Sequence, residues 1–275
     1  MALVAEDYRP VALSELVTGL SRGRVPDRSV AITFDDGYVD NLEYGLPVLE
    51  RLGVPATIYV ATGYIGSDAP FWWDEAEDLL VGPGARPDRL ELRIGSRQLA
   101  LATAAAEERE TALADGVQPA LRESTPGAIE SALRALRAWA GRPPEPQASE
   151  ETGRALRSEE LVRLERSEVI EVGAHTRWHP SLRALSPAAA RAEIAGSRDD
   201  LERLLDRSPL HFSYPFGDRR RVTSRLAREA RFTSAVAVEQ AMPVTCRSDP
   251  YALPRSQAVE EDITLFQARL AQALW

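Results

Sequence analysis

Residues 33–37 read Thr-Phe-Asp-Asp-Gly and residues 173–180 read Gly-Ala-His-Thr-Arg-Trp-His-Pro. The first stretch sets two carboxylates, Asp35 and Asp36, where an apolar run ends; the second sets two of the chain's three histidines, His175 and His179, four positions apart. Burying a carboxylate costs several kcal/mol unless a cation or a set of donors compensates, so two acids at one strand end call for a partner. Imidazoles four apart lie on one face of a helical turn and are able to share an ion. If one acid joins them, a divalent cation has three protein ligands and an open position for water, the donor set of a hydrolytic zinc centre, while the other acid is free as a general base. Two nitrogens and one oxygen suit zinc, with cobalt, nickel, manganese and iron as other occupants of such a site.

Local sequence limits how these residues are presented. Neighbouring side chains on a strand point to opposite faces, so Asp35 and Asp36 serve one site only if the backbone leaves strand geometry between them. Gly37, free to take positive φ, permits a sharp turn at the strand's C-terminal end, where α/β folds bind ligands. Taken alone, the Asp-Asp-Gly stretch fits equally a cap for a helix near Asn41 with Asp35 bonding loop amides. The histidine pair is not the helical His-Glu-x-x-His arrangement of metalloproteases: Thr176, Arg177 and Trp178 intervene, and Pro180 disfavours helical geometry at His179. The pair belongs in a strand-to-loop turn, the alternative being two half-buried imidazoles packed on Trp178.

The elements that must position these groups alternate. Residues 30–34 read as a buried strand, 41–52 as a helix with Leu42, Leu46, Leu49 and Leu52 apolar, and 56–60 as a second buried strand; later come strands at 169–174, 210–214 and 233–238 with helices at 186–205, 220–230 and 263–274. Such alternation predicts an α/β fold with a parallel sheet or barrel and helices outside. Residues 67–156 break the rhythm. They hold the aromatic group Phe71, Trp72 and Trp73, an alternating stretch around Gly95-Ser96 that reads as a hairpin, Ala-, Glu- and Arg-rich helical sequence, and a Pro-rich loop at 141–147. The expectation is a single domain over 1–275 with an α+β insertion at about 67–156. Trp72, Trp73 and Asp74 suit either a sugar-stacking lid over the site or a small core of the insertion's own.

With 44% hydrophobic residues the 275-residue chain is able to bury a substantial core, and a net charge of -9 argues against nucleic acid or an anionic membrane as partner. All 33 basic residues are arginine, which excludes a Schiff-base lysine and a phosphate-loop lysine. Cys246 is the only cysteine, so neither an internal disulfide nor a cysteine metal cluster is available. No apolar stretch approaches a membrane span, and the first residues lack the basic start and apolar run of a signal peptide, so the expected location is cytoplasmic. No heptad or symmetric patch indicates an oligomeric state.

The stretch 33–37, the His-Thr-Arg-Trp-His stretch and a later Ser-Tyr-Pro-Phe-Gly at 213–217, in that order on successive βα units, resemble the polysaccharide deacetylases of the NodB-homology type, carbohydrate esterase family 4. The likeness spans about 30–66 and 168–274. It implies a distorted (β/α) barrel and a metal-dependent hydrolase that removes N-acetyl groups from an amino sugar in a saccharide or polysaccharide. The resemblance also implies roles: Asp35 as catalytic base, Asp36, His175 and His179 as ligands of a divalent metal, and Tyr214, Pro215 and Phe216 as lining of the sugar site, with the Phe216 N–H donating to the oxyanion. The alternative for the aromatics is a turn that plugs a barrel end. Three departures stand out. Ser213 replaces an arginine that holds the base in many members, so Asp35 needs another support. No histidine follows His211 to serve as late general acid; the nearest piece is Leu253-Pro254-Arg255, and Arg255 is able to steady charge but not to donate a proton. The chain begins close to its first helix, so the barrel is expected to lack one strand. A deformylase or amide hydrolase acting on a small molecule, and an inactive carbohydrate-binding protein, are the competing functions.

Overall fold

The computed structural model describes residues 1–146, 153–238, 243–258 and 263–273; Gln147 of the predicted loop and Leu274 of the predicted last helix lie outside them. Helix α1 (Ala2–Asp7) and the short strand β1 (Arg9–Pro10) precede α2 (Leu13–Ser21), β2 (Ser29–Val30), β3 (Ile32–Phe34), α3 (Leu46–Leu52) and β4 (Ala56–Val60). Next come α4 (Trp72–Val81), the hairpin β5 (Arg89–Ile94) and β6 (Arg97–Ala102), α5 (Ala106–Thr111), α6 (Gln118–Arg122), α7 (Pro126–Trp139) and α8 (Ser158–Glu165). The alternation then resumes with β7 (Ile170–Ala174), α9 (Pro187–Leu205), β8 (His211–Ser213), α10 (Arg221–Glu229), β9 (Ser234–Val238), β10 (Leu253–Arg255) and α11 (Ile263–Ala273).

Six parallel strands form a curled sheet, a half-barrel, in the order β10-β9-β8-β7-β4-β3. Its two edge strands approach each other across the mouth, where Arg255 Nη1 donates to Thr33 Oγ1 at 3.0 Å. Strand periodicity sorts the side chains. Phe34, Ile58, Val172, Phe212 and Ala235 pack under the helices, while the inner face carries Tyr59 and Val236, sealed by Leu13 of α2 and Leu253. Gly173 has a packing reason: a Cβ there would stand 2.5 Å from the Tyr59 ring. His211 is buried inside this barrel, its Nδ1 2.9 Å from Ser234 Oγ, as suits a packed histidine at a strand start.

The elements differ from the sequence reading in detail. A strand not read from the sequence, β1, follows α1 and pairs in parallel with β2 in a two-stranded ladder separate from the six-stranded sheet; two residues are too few to show alternation in sequence. The run 30–34 is accordingly not one strand but two, divided at Ala31 between the two sheets. The predicted helix at 41–52 opens with a wide turn, Asn41–Gly45, before α3 begins. The interrupting segment packs around its own apolar cluster, with Phe71, Trp72, Leu80, Leu90, Leu121 and Leu136 inside. That cluster also takes in Ala61, Tyr64 and Ala155 and touches Phe216, so the inserted elements are built onto the barrel mouth.

Candidate metal centre and active site

Asp35 and Asp36 follow β3 directly, and the backbone turns there: Asp36 adopts φ 72° and Gly37 φ 86°. The turn is tied down by Gly37 N donating to Asp35 O at 2.9 Å and Ala61 N donating to Asp36 O at 3.0 Å. A Cβ on Gly37 would meet Val60 Cγ1 at 2.7 Å, so glycine is required by space as well as by φ. Both carboxylates thus face one side despite being adjacent, and neither caps the turn at Asn41.

His175 leaves the end of β7, its N–H donating to Val60 O at 2.9 Å. Its ring Nδ1 stands 2.8 Å from the Ser213 carbonyl, and a carbonyl only accepts, so Nδ1 carries the proton and Nε2 presents its lone pair to the site. The chain then turns through Thr176 (φ 65°) and His179 (φ 53°) without forming a helix. A β-branched residue at positive φ is strained, and strain of this sort persists only where neighbours overdetermine it. Those neighbours are on α9 and after β4. Glu193 Oε2 accepts from Arg177 N at 2.9 Å and Trp178 N at 3.0 Å, Asp200 accepts from Arg177 Nε at 2.8 Å and Thr62 Oγ1 at 2.9 Å, and Gly63 N donates to Arg177 O at 2.8 Å.

The result is convergence. His175 Nε2 and His179 Nε2 are 3.2 Å apart, and Asp36 Oδ1 lies 3.6 Å from the first and 3.4 Å from the second. Asp36, His175 and His179 form a group whose ligand atoms all lie within 4.8 Å of one another. Among the described residues, Asp36 Oδ1 is buried without a hydrogen-bond partner. Burial, moderated by His175 and reinforced by Asp35, pushes the Asp36 carboxyl up to about 6. Burial likewise drives His179 well below the usual imidazole range. An orphaned carboxylate oxygen facing two imidazole nitrogens fits a divalent cation, which would satisfy all three at once.

Asp35 occupies a different environment. Arg255 grips it with two parallel bonds, Nη1 to Oδ1 and Nη2 to Oδ2, each 2.7 Å, and Nη2 also donates to Ser213 Oγ at 2.9 Å. Burial raises the Asp35 carboxyl, but the neighbouring His175 ring and the Arg255 guanidinium, through its charge and its hydrogen bonds, outweigh it and hold the group at about 2. Arg255 supplies the support that Ser213 does not, from a strand more than two hundred residues away in sequence. The motif Leu-Pro-Arg at a strand end was the available signal.

The aromatic residues divide. Phe216 (φ 59°) turns its ring toward the metal turn, with centroids 4.6 Å from the His179 ring, and Trp73 meets the same imidazole at 4.6 Å. Trp73 Nε1 donates to Tyr38 Oη at 2.7 Å, and Tyr38 Oη donates to Asp74 at 2.7 Å. Trp72, by contrast, is buried in the insertion's cluster. Tyr214 does not line the site with its side chain: it is fully buried under the helices and its hydroxyl donates to Tyr251 O at 3.0 Å. The strand alternation that points Ser213 inward points Tyr214 out, and Pro215 is also buried. Glu193, Asp200 and Arg122 were missed in sequence. For the first two a signal existed, since acids at 193 and 200 share the inward face of α9 with Ala190, Ile194, Ser197 and Leu201.

The polysaccharide deacetylase family matches residues 22–84 and 127–235, more than half of the chain and all of Asp35, Asp36, His175 and His179. The chain belongs to the polysaccharide deacetylase family. Within that family it is similar to the poly-β-1,6-N-acetyl-D-glucosamine N-deacetylase of Staphylococcus epidermidis, 37% identical over 65 residues, which cover 24% of this chain and 22% of the relative. The match therefore spans about a fifth of the curated relative's length. The deacetylase PplD of Streptococcus pyogenes, solved with acetate, shares the fold with a TM-score of 0.59 at 17% identity over 99% of this chain and 82% of that one. IcaB of Ammonifex degensii does so with a TM-score of 0.57 at 15% identity over 98% and 83%. Among the described residues, no helix of this deacetylase-family chain is long and apolar enough to cross a membrane.

Proposed function

We propose that this protein is a metal-dependent hydrolase that removes N-acetyl groups from an amino sugar in a saccharide or polysaccharide, with zinc as its ion. The observation that carries the reading is the meeting of Asp36, His175 and His179 within 4.8 Å beside an Asp35 clamped by Arg255. The name of the staphylococcal relative, an N-deacetylase of a β-1,6-linked N-acetylglucosamine polymer, supports an acetamido sugar as substrate.

In this reading Asp36, His175 and His179 hold the ion. When bound, a divalent cation polarises the acetamide carbonyl and makes water acidic enough to lose a proton near neutral pH. Asp35 takes that proton as the water oxygen bonds to the carbonyl carbon, and Arg255 keeps its carboxylate ionised and aimed. The Phe216 N–H is the donor that the family resemblance offers to the oxygen that gains charge. Collapse breaks the carbon–nitrogen bond and releases acetate and an amine, and the proton on Asp35 is the one that the amine needs. The same proton serves both steps, so the absent late histidine leaves the proton balance intact. Trp73 and Phe216 flank His179 and offer apolar faces to a pyranose ring.

Acetate release from N-acetylglucosamine oligomers by zinc-reconstituted protein tests this. Asp35→Asn and His175→Ala are each expected to lower kcat by about a thousandfold or more, in the range typical for loss of a general base or a ligand. Undiminished release by both variants refutes the assignment.

A further inference from the structure

Arg122 closes α6, within the stretch 85–126 that the family does not match. Its guanidinium carbon stands 4.0 Å from the centre of the Phe216 ring, the ring whose other neighbour is His179 at 4.6 Å. The cation is therefore one aromatic ring away from the candidate metal turn. It is held there from two sides. Nη2 donates to Asp218 Oδ2 at 2.8 Å, Ser181 Oγ donates to the same oxygen at 3.1 Å, and Ser181 N donates to the Arg122 carbonyl at 3.1 Å. Among the described residues Nη2 is the only nitrogen of the fork that donates to protein, and the side chain remains 40% exposed. The remaining donors face solvent at the rim of the site.

The chain carries a net charge of -9, yet three arginines, Arg219, Arg220 and Arg221, follow in sequence the aspartate that Arg122 holds. A guanidinium held over an aromatic ring, with its carbon 4.0 Å from the ring centre and donors to spare, is suited to a planar or tetrahedral oxyanion. A neutral sugar would gain little from the cation. We propose that Arg122 is a specificity residue and that the substrate is an amino sugar bearing an anionic group, a phosphate or a carboxylate, about one sugar ring from its acetamide. The acetamide in this statement rests on the deacetylase reading; the anion does not.

Calorimetric titration of N-acetylglucosamine, N-acetylglucosamine 6-phosphate and 2-acetamido-2-deoxyglucuronic acid into the wild type, Arg122→Lys and Arg122→Gln tests the proposal, with acetate release followed on the same three sugars. At least one anionic sugar should bind about tenfold or more tighter than the neutral one, as a charge-assisted hydrogen bond provides, and that preference should shrink as salt rises. The phosphate and carboxylate arms identify which anion is read. Arg122→Gln should abolish the preference and Arg122→Lys keep part of it. A merely structural latch would move thermal stability and all three affinities together, and that result overturns the proposal, as does a wild type that binds the neutral sugar as tightly as both anionic ones. Should Arg122→Gln fail to fold, the salt dependence of the wild type and the behaviour of Arg122→Lys still decide. A binding preference without acetate release from any of the three would support the role of Arg122 while counting against the deacetylase reading.

Discussion

Asp36 carries a charge that the folded chain alone does not compensate. Its carboxyl titrates near 6 when folded against 3.8 in the unfolded chain, chiefly because of burial. The folded state therefore keeps the proton longer, so the metal-free protein loses stability as pH rises from about 3.8 to about 6 and stays at the lower level above that window. Two pH units correspond to about 3 kcal/mol. Asp36→Asn, a residue that tolerates the left-handed backbone of this position, should raise the neutral-pH stability of the chelator-treated protein by an amount of that order while abolishing zinc binding. Denaturant melts at pH 4 and pH 7 check it: a variant no more stable than the wild type at pH 7 contradicts the assignment of Asp36 as an uncompensated ligand. The four chemical side chains were legible because residue type and spacing carry them. Arg255 was legible as a cation near the site but not as the clamp on Asp35, since that role exists only once β10 and β3 face each other across the barrel mouth. Tyr214 misled for the same reason in reverse: the motif places it beside Phe216 in sequence, while strand alternation sends its ring to the opposite face.

The element that matters most to the site is the turn between β7 and α9. Pro180 placed the histidine pair in a strand-to-loop turn, and the backbone brings the two rings together there through positive φ at Thr176 and His179. This conformation depends on Glu193, 6% exposed, whose carboxylate accepts the amides of Arg177 and Trp178. Removing that acceptor leaves two amides without a partner and frees the turn to relax, and outer supports of metal ligands are typically worth about 10-fold to 100-fold in affinity. Glu193→Ala should weaken zinc binding by that factor in competition with a chromophoric chelator, and Glu193→Gln, which keeps an acceptor oxygen, should lose less. Equal affinity in Glu193→Ala and the wild type would show that the turn holds without α9. Helix α9 itself was predicted to within a residue, because Ser186 caps its start, Oγ accepting from Ala189 N at 3.3 Å, and Pro187 follows at the first helical position.

Across the whole molecule, the candidate centre ties together residues from three widely separated parts of the chain, Asp36 after β3, His175 and His179 after β7, and Arg255 on β10 through its clamp on Asp35. An ion bound there stabilises only the folded state. At a free zinc concentration one hundred times Kd the gain is about 2.7 kcal/mol, which for a chain of this size corresponds to a rise in Tm of roughly 5 to 10 °C. Thermal melts with and without zinc measure it, and Asp36→Asn should show no rise; an equal rise in both proteins would place zinc elsewhere.

Repeating strand and helix periods, the turn chemistry of Gly37 and the pairing of acids with histidines are local properties, and the sequence by itself determined the α/β alternation and which acids and histidines the fold brings together. Only the tertiary structure decided which strands became edges, that Arg255 replaces the support missing at Ser213, that Trp73 turns to His179 while Trp72 turns away, and that Arg122 reaches the rim. Those outcomes depend on the curl of a six-stranded parallel sheet and on an insertion docked over its mouth. Contacts of that range arise from the summed packing of many residues, and no short stretch of sequence encodes them.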